Sequence, residues 1–252
     1  VPRKLGQHFL HRRDVLEKIA RAACPEREPL VIEIGAGKGA LTERLVGRAD
    51  RVIAIELDPA LADFLRRRFQ DSGAVEVVQA DVLGLDLGQW GPAVIAGNIP
   101  YYITSKILER VLAVLPPVKR AVLLVQREVA ERIASPAGRR DYGLLSVHVQ
   151  AVADPEILFR VPPSAFTPPP EVSSALVRLT PRATPLLDRE RLPAFLEFAA
   201  RCFRYKRRTL RNNLAAWYSP SLLDSLPEAA LRAEQLSPHE LLKLYEKLNS
   251  PA

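Results

Sequence analysis

The sequence predicts an α/β protein: a doubly wound, mostly parallel sheet of seven strands, followed by a small all-α C-terminal domain. Three observations lead there. Short apolar runs alternate with amphipathic stretches as far as Thr180, the pattern of repeated βα units. The first apolar run empties into a glycine-rich turn, Gly35-Ala36-Gly37-Lys38-Gly39-Ala40. After Pro181 only helical spacing remains, so the domains are divided at 1–182 and 183–252.

Taken in order, Val15, Leu16, Ile19, Ala20 and Ala23 recur at helical spacing and predict a helix over Arg13 to Ala23. Leu30 to Ile34 reads as a buried parallel strand, and a helix over Leu41 to Val46 follows the turn. Arg51 to Glu56 is the next strand. Asp58-Pro59 then begins a helix reaching about Phe69. Val75 to Gln79, Ala93 to Gly97 and Arg120 to Gln126 continue the strands, with helices over Ile103 to Leu115, closed by Pro116-Pro117, and over Arg127 to Ala134. Ser135 to Gly143 reads as an exposed basic loop, and Leu145 to Ala153 and Ser174 to Thr180 as the last two strands. Helices are expected over Leu192 to Leu214, Ser221 to Leu226, Glu228 to Arg232 and Pro238 to Leu248.

Composition narrows the class. A 252-residue chain with 48% hydrophobic and 26% charged residues has the make-up of a soluble globular protein with a sizeable core. No run approaches the roughly 20 apolar residues of a membrane span, and no signal peptide opens the chain, so a cytoplasmic protein without a membrane partner is expected. The sequence has no Met, so natural residues are expected to precede Val1. Cys24 and Cys202 stand alone, without metal-site or disulfide spacing, and both are read as reduced and buried. A net charge of +7 and a pI near 9.6 favour a polyanionic partner. The cations collect in Arg3, Lys4, Arg12 and Arg13, in Arg139 and Arg140, and in Arg201, Arg204, Arg207, Arg208 and Arg211. One such run is usually a solvated helix face; several clusters, the last with no acid between Glu197 and Asp224, point to nucleic acid.

Two sets of residues carry candidate chemistry. Glu56 lies about 20 residues beyond Gly35, the separation at which an acid binds ribose hydroxyls after a glycine turn. Asp81 repeats that position one strand later. Either acid alone could be a cap or a turn residue; together they describe a pocket for a ribose and an adenine amino group. The glycines also satisfy the loose dinucleotide pattern, whereas a P-loop fits less well because Gly39 follows Lys38. Glu33 could hold a cationic amino-acid group. The second set is Gly97-Asn98-Ile99-Pro100-Tyr101-Tyr102 at the end of the fourth strand, with Phe166 in the proline-stiffened loop Pro163 to Pro170. Asn before X-Pro is ordinary turn chemistry. Combined with Phe166, it suggests a slot in which Tyr101 and Phe166 clamp the two faces of a base.

These segments are similar to the KsgA/RsmA family of ribosomal RNA adenine dimethyltransferases, related to the Erm enzymes. The similarity runs through Gly-Gln-His-Phe-Leu at 6–10, Glu-Ile-Gly-Ala-Gly-Lys-Gly-Ala-Leu-Thr at 33–42, Glu56, Asp81, Asn-Ile-Pro-Tyr at 98–101, Gly-Leu-Leu-Ser at 143–146, Pro-Ser-Ala-Phe-Thr-Pro-Pro-Pro at 163–170 and Arg-Arg-Thr-Leu-Arg-Asn at 207–212. The family often carries Asn where this chain has His8. The resemblance implies a Rossmann-like class I methyltransferase fold and S-adenosylmethionine as cofactor. His8, Leu10, Gly35 and Gly37 would contact that cofactor, with Glu56 at its ribose, Asp81 at its adenine and Asn98 near its methyl. Asn98, Ile99, Pro100, Tyr101 and Phe166 would form the catalytic site. It implies dimethylation of two adjacent adenines in the 3′-terminal hairpin of 16S rRNA, within the small ribosomal subunit or its precursor. The charge clusters add the expectation that Arg139, Arg140, Arg201, Arg204, Arg207, Arg208 and Arg211 grip RNA, and a monomer is expected. The alternatives are an Erm-like enzyme acting on 23S rRNA, a non-catalytic assembly or transcription factor, and a nicotinamide dehydrogenase.

Overall fold

The computed structural model describes residues 8–114 and 118–249. The expectations at Arg3, Lys4, Gly6, Gln7, Pro116 and Pro117 fall outside those residues. In chain order the elements are β1 (Phe9–Leu10), α1 (Arg13–Ala23), β2 (Glu28–Ile34), α2 (Thr42–Val46), β3 (Ala49–Glu56), α3 (Pro59–Arg68) and β4 (Val75–Gln79). Next come β5 (Val94–Asn98), α4 (Thr104–Ala113), β6 (Arg120–Gln126), α5 (Arg127–Ala134), α6 (Leu144–Val152), β7 (Ala153–Val161), β8 (Phe166–Thr167) and β9 (Ser174–Pro181). The chain ends with α7 (Leu192–Cys202), α8 (Leu210–Leu214), α9 (Pro220–Asp224) and α10 (Pro238–Asn249).

Seven strands form one sheet in the order β4-β3-β2-β5-β6-β9-β7. The five strands from β4 to β6 run parallel, and β9 is antiparallel to β6. In β2, Val31, Ile32 and Ile34 are all buried, as expected for a strand covered on both faces. Glu28, at the opposite end of β2 from the glycine turn, is also buried, and is held by Lys119 at 2.8 Å and Arg120 at 3.3 Å. Helix α1 buries the expected stripe, with Ile19 fully enclosed, which contributes about 2 kcal/mol. It shares a core with Val31, Val52, Val94, Leu124 and Leu176. The chain winds outward from β2 to β4, then returns past β2 to β5. The carboxyl ends of β2 and β5 are therefore the switch point where an open α/β sheet leaves a crevice.

The chain divides into two compact units. Residues up to Ala130 pack with Pro155–Pro181, and Glu131–Asp154 pack with the residues from Arg182 onward. The helical unit thus takes in a stretch that the division at 182 had assigned to the sheet domain. Within that stretch, residues 144–152 are helix rather than the strand their β-branched residues suggest. Ser146 and Gln150, four residues apart, face the end of α5: Ser146 Oγ donates to the Arg132 carbonyl at 2.6 Å, and Gln150 Nε2 donates to the Ile133 and Ser135 carbonyls at 3.0 and 2.8 Å. Helical spacing sets residues four apart one turn from each other on the same face, close enough for both side chains to reach carbonyls at one helix end. The missing strand is supplied by β7.

The single helix expected over 192–214 is two, α7 and α8, separated by a turn. Asn213, 3% exposed, holds that turn: its Oδ1 accepts from the Tyr205 amide at 3.0 Å, and its Nδ2 donates to the Tyr205 and Arg208 carbonyls at 3.2 and 3.4 Å. Thr209 caps α8 by accepting from the Asn212 amide. The basic residues expected as one helical stripe are therefore split, with Arg201 on α7, Arg204, Arg207 and Arg208 on the turn, and Arg211 on α8. Among the described residues no helix is long and apolar enough to cross a membrane.

Candidate active site

At the switch point the glycine turn brings backbone against neighbouring groups. Gly37 has φ +58°, and a Cβ there would lie 3.3 Å from the Phe9 ring. Its amide donates to Glu56 Oε2 at 2.7 Å, while the Asp58 amide donates to Oε1 at 2.9 Å. Glu56 is thus oriented by two backbone amides, and each carboxylate oxygen keeps capacity for a further donor. Asp81, at the end of the neighbouring strand, is exposed and accepts from the Leu83 amide through Oδ1 at 2.9 Å. Both acids line a cleft of about 820 Å³, together with Gly35, Gly37, Leu57 and Asn98.

Asn98 ends β5. Its Nδ2 donates to the His8 carbonyl at 2.9 Å, so its Oδ1 remains an acceptor on the cleft wall. Ile99 continues the ladder through its amide to the Leu124 carbonyl at 3.0 Å, and among the described residues nothing donates to the Ile99 carbonyl. Thr104 Oγ1 folds the turn back by donating to the Pro100 and Tyr101 carbonyls at 3.1 and 3.2 Å. The Tyr101 hydroxyl is 2.6 Å from Ser174 Oγ, which sets the ring, and burial pushes its pKa up.

The structure buries Phe166 rather than opening it to that slot. It is 2% exposed, packs in the core with Leu10 and Val161, and lines neither cleft described here. The reason is the short antiparallel pair of β1 with β8, where Leu10 lies opposite Phe166 and Phe9 opposite Thr167. Alternation along the strand turns Leu10 and Phe166 inward and leaves Phe9 at the cleft. The ring beside Tyr101 is His8, stacked at 5.6 Å and 25°, with its Nδ1 2.8 Å from the Pro168 carbonyl.

A second cleft, of about 1090 Å³, shares Phe9, Gly35, Gly37 and Asn98 with the first and adds Leu10, Glu33 and Lys38. Glu33 is 1% exposed and accepts from Thr42 Oγ1 at 2.6 Å. Burial, reinforced by the nearby Glu56 charge against the Thr42 bond, pushes its pKa up to about 8, so it carries a proton at neutral pH. A cationic group entering beside it would favour ionisation. Sequence reasoning missed Phe9, over which Lys38 Nζ lies at 4.8 Å, and Ser174, whose position only the β6–β9 register reveals.

In the helical unit, Arg139 and Arg140 are exposed on the loop before α6, and Lys206 Nζ donates to the Arg140 carbonyl at 2.7 Å, which brings that loop beside the 203–209 turn. Arg204, Arg207 and Arg208 have no carboxylate partner among the described residues. Arg201 pairs with Glu197 at 2.5 Å, and Arg211 is held by both oxygens of Asp224. Those two cations are partly neutralised.

A doubly wound sheet with a carboxylate-lined crevice, and an Asn-Ile-Pro-Tyr turn rather than a titrating base beside it, defines a Rossmann-like methyltransferase. Solved structures agree. A dimethyladenosine transferase from Plasmodium falciparum superposes with a TM-score of 0.83 at 26% identity, covering 96% of this chain and 98% of that one. The 23S rRNA methyltransferase ErmE gives 0.74 at 30% identity, covering 96% and 100%. The family model for ribosomal RNA adenine dimethylase matches residues 2–250, and the chain belongs to that family. Among its relatives are the ribosomal RNA small subunit methyltransferases A of Acidobacterium capsulatum, 44% identical over 97% of this chain and 90% of the relative, and of Chlorobium chlorochromatii, 40% identical over 98% and 94%.

Proposed function

We propose that this chain transfers methyl groups from S-adenosylmethionine to the N6 amino groups of two adjacent adenines in the 3′-terminal hairpin of 16S rRNA, acting on the small subunit or its precursor during ribosome biogenesis. The observation that carries the chemistry is the Asn98 amide: its tie to the His8 carbonyl leaves Oδ1, beside the free Ile99 carbonyl, to accept the two amino hydrogens. An adenine amino nitrogen is a weak nucleophile because its lone pair is delocalised into the ring. Two acceptors on its hydrogens return electron density to nitrogen and hold it for in-line attack. Tyr101 supports the ring, and the proton lost after transfer needs no buried base.

S-adenosylmethionine supplies an electrophilic methyl on a sulfonium. The donor set suits it: Glu56 for ribose hydroxyls, Asp81 for the adenine amino group, Leu57 as apolar wall, and Glu33 for the cationic amino-acid end. His8, Leu10, Gly35 and Gly37 complete that contact surface, and Phe166 acts by holding β1 in place through Leu10. Arg139, Arg140, Arg204, Arg207 and Arg208 supply the RNA contacts, with Arg201 and Arg211 secondary. The sheet-bearing unit acts as the methyltransferase and the helical unit as the RNA-binding part of a cytoplasmic monomer.

Incubating the protein with labelled S-adenosylmethionine and unmethylated small-subunit particles should yield dimethyladenine in the 3′ hairpin, and Asn98→Ala should lower the rate at least ~10²-fold. Label appearing on 23S rRNA instead would overturn the substrate assignment. No label on either RNA would leave the assembly-factor reading ahead.

A further inference from the structure

The segment from the end of α7 to just past α8 carries an alternation of cations and rings that the methyl-transfer reading does not use. The Arg201 guanidinium lies 5.2 Å from the Trp217 ring centroid, Arg204 lies 5.7 Å from Trp217 and 5.4 Å from Tyr205, and Arg208 lies 4.4 Å from Tyr205. Both rings are open to solvent, Trp217 at 38% and Tyr205 at 44% exposure. Surface cation–π contacts stabilise a fold little, so they do not account for two large aromatics left at the surface, Tyr205 in the basic turn and Trp217 just past α8.

We propose that Trp217 and Tyr205 form a stacking platform for an unpaired RNA base, with Arg204 and Arg208 taking the flanking phosphates. Single-stranded nucleic acid is held in this way, by aromatic faces for the bases and cations for the backbone. Charge singles out a polyanion as the partner, since no Asp or Glu occurs between Glu197 and Asp224 and neither Arg204 nor Arg208 has an acidic partner among the described residues. The buried Asn213 side chain accepts one hydrogen bond from the Tyr205 amide and donates to the Tyr205 and Arg208 carbonyls, which sets the backbone carrying Tyr205 and Arg208 before any ligand arrives and lowers the ordering cost of binding. The platform is distinct from the adenine site beside Asn98. It rests on the RNA reading above and assigns that reading a second, single-stranded contact.

The test is equilibrium binding of the full chain to a labelled single-stranded oligoadenylate and to a blunt RNA duplex of equal length, across a salt series. Trp217→Leu should weaken the single strand roughly tenfold, with an unchanged salt slope and little effect on the duplex, and Trp217→Phe should restore it. Arg208→Gln should instead reduce the salt slope by about 0.7. Trp fluorescence of a Trp90→Phe variant, quenched by the single strand and not by the duplex, checks the stack without altering the platform. Unchanged single-strand affinity in Trp217→Leu, equal losses for strand and duplex, or no quenching would overturn the platform while leaving RNA binding intact. A wild type that binds neither RNA would bring down the RNA reading itself.

Discussion

Glu56 in the sheet-bearing unit and Arg204 in the helical unit are both charged groups that the proposed function offers to a ligand, yet they are held differently. Glu56 is 4% exposed and receives two backbone amides, whereas Arg204 touches aromatic rings at the surface and no carboxylate among the described residues. Asn98, with its amide oriented by His8, belongs with the first; Arg139, Arg140 and Arg208 belong with the second. A reaction that transfers one carbon needs acceptors placed to within a fraction of an ångström. A phosphate backbone, whose charges recur along a deformable chain, is better met by cations that can move to it.

That contrast can be broken at the rigid end first. A Cβ at Gly97 would sit 2.5 Å from the Ile34 carbonyl oxygen of the adjoining strand, in the register that pairs Ile34 with Gly97. Gly97→Ala should therefore cost ~3 kcal/mol or more in denaturant unfolding, because neither backbone can yield inside the parallel sheet. A stable, active Gly97→Ala protein would show the switch point to be softer than the packing implies.

Glu33 gives the next largest effect. Its folded pKa of about 8 stands above the ordinary value of 4.5, so the folded chain binds the proton more tightly than the unfolded one. Stability should be greatest below about pH 4.5 as far as this group is concerned, and should fall as pH rises from there toward about 8. Glu33→Gln should remove a few kcal/mol of that decline in unfolding experiments between pH 5 and 9, while weakening the cofactor. Parallel stability curves for the two proteins would mean that Glu33 ionises freely.

The smallest effect lies at the surface. Charge reversal at Arg204 should weaken RNA binding and lower its salt slope, whereas reversal at Arg211, already engaged by Asp224, should leave the slope nearly unchanged. Equal losses at the two positions would remove the distinction between free and paired cations.

Local signals made much of this legible in the sequence. Gly35 to Ala40, Glu56, Asp81 and Asn98 to Tyr101 each sit at a strand end, and strand ends follow from short-range apolar patterning. The burial of Phe166 was not legible, because its direction depends on pairing with Leu10, more than 150 residues away, which no local pattern records. Residues 144–152 looked like a strand because Val147, Val149 and Val152 carry β propensity. The carbonyls at the end of α5 overrode it, through Ser146 and Gln150. The break after Cys202 was hidden for a similar reason: Asn213 makes the turn from outside it.

The pairing of Phe9-Leu10 with Phe166-Thr167 also sets a clock on the birth of the enzyme. A nascent chain emerging from its ribosome presents Gly35, Glu56 and Asn98 while the strand that anchors Phe9 and the Pro168 carbonyl that holds His8 are still untranslated. Contacts this distant along the chain form late. The cleft therefore stays incomplete until Pro168 has cleared the exit tunnel, so an enzyme of ribosomal RNA gains its finished cleft only after most of its own chain has been made.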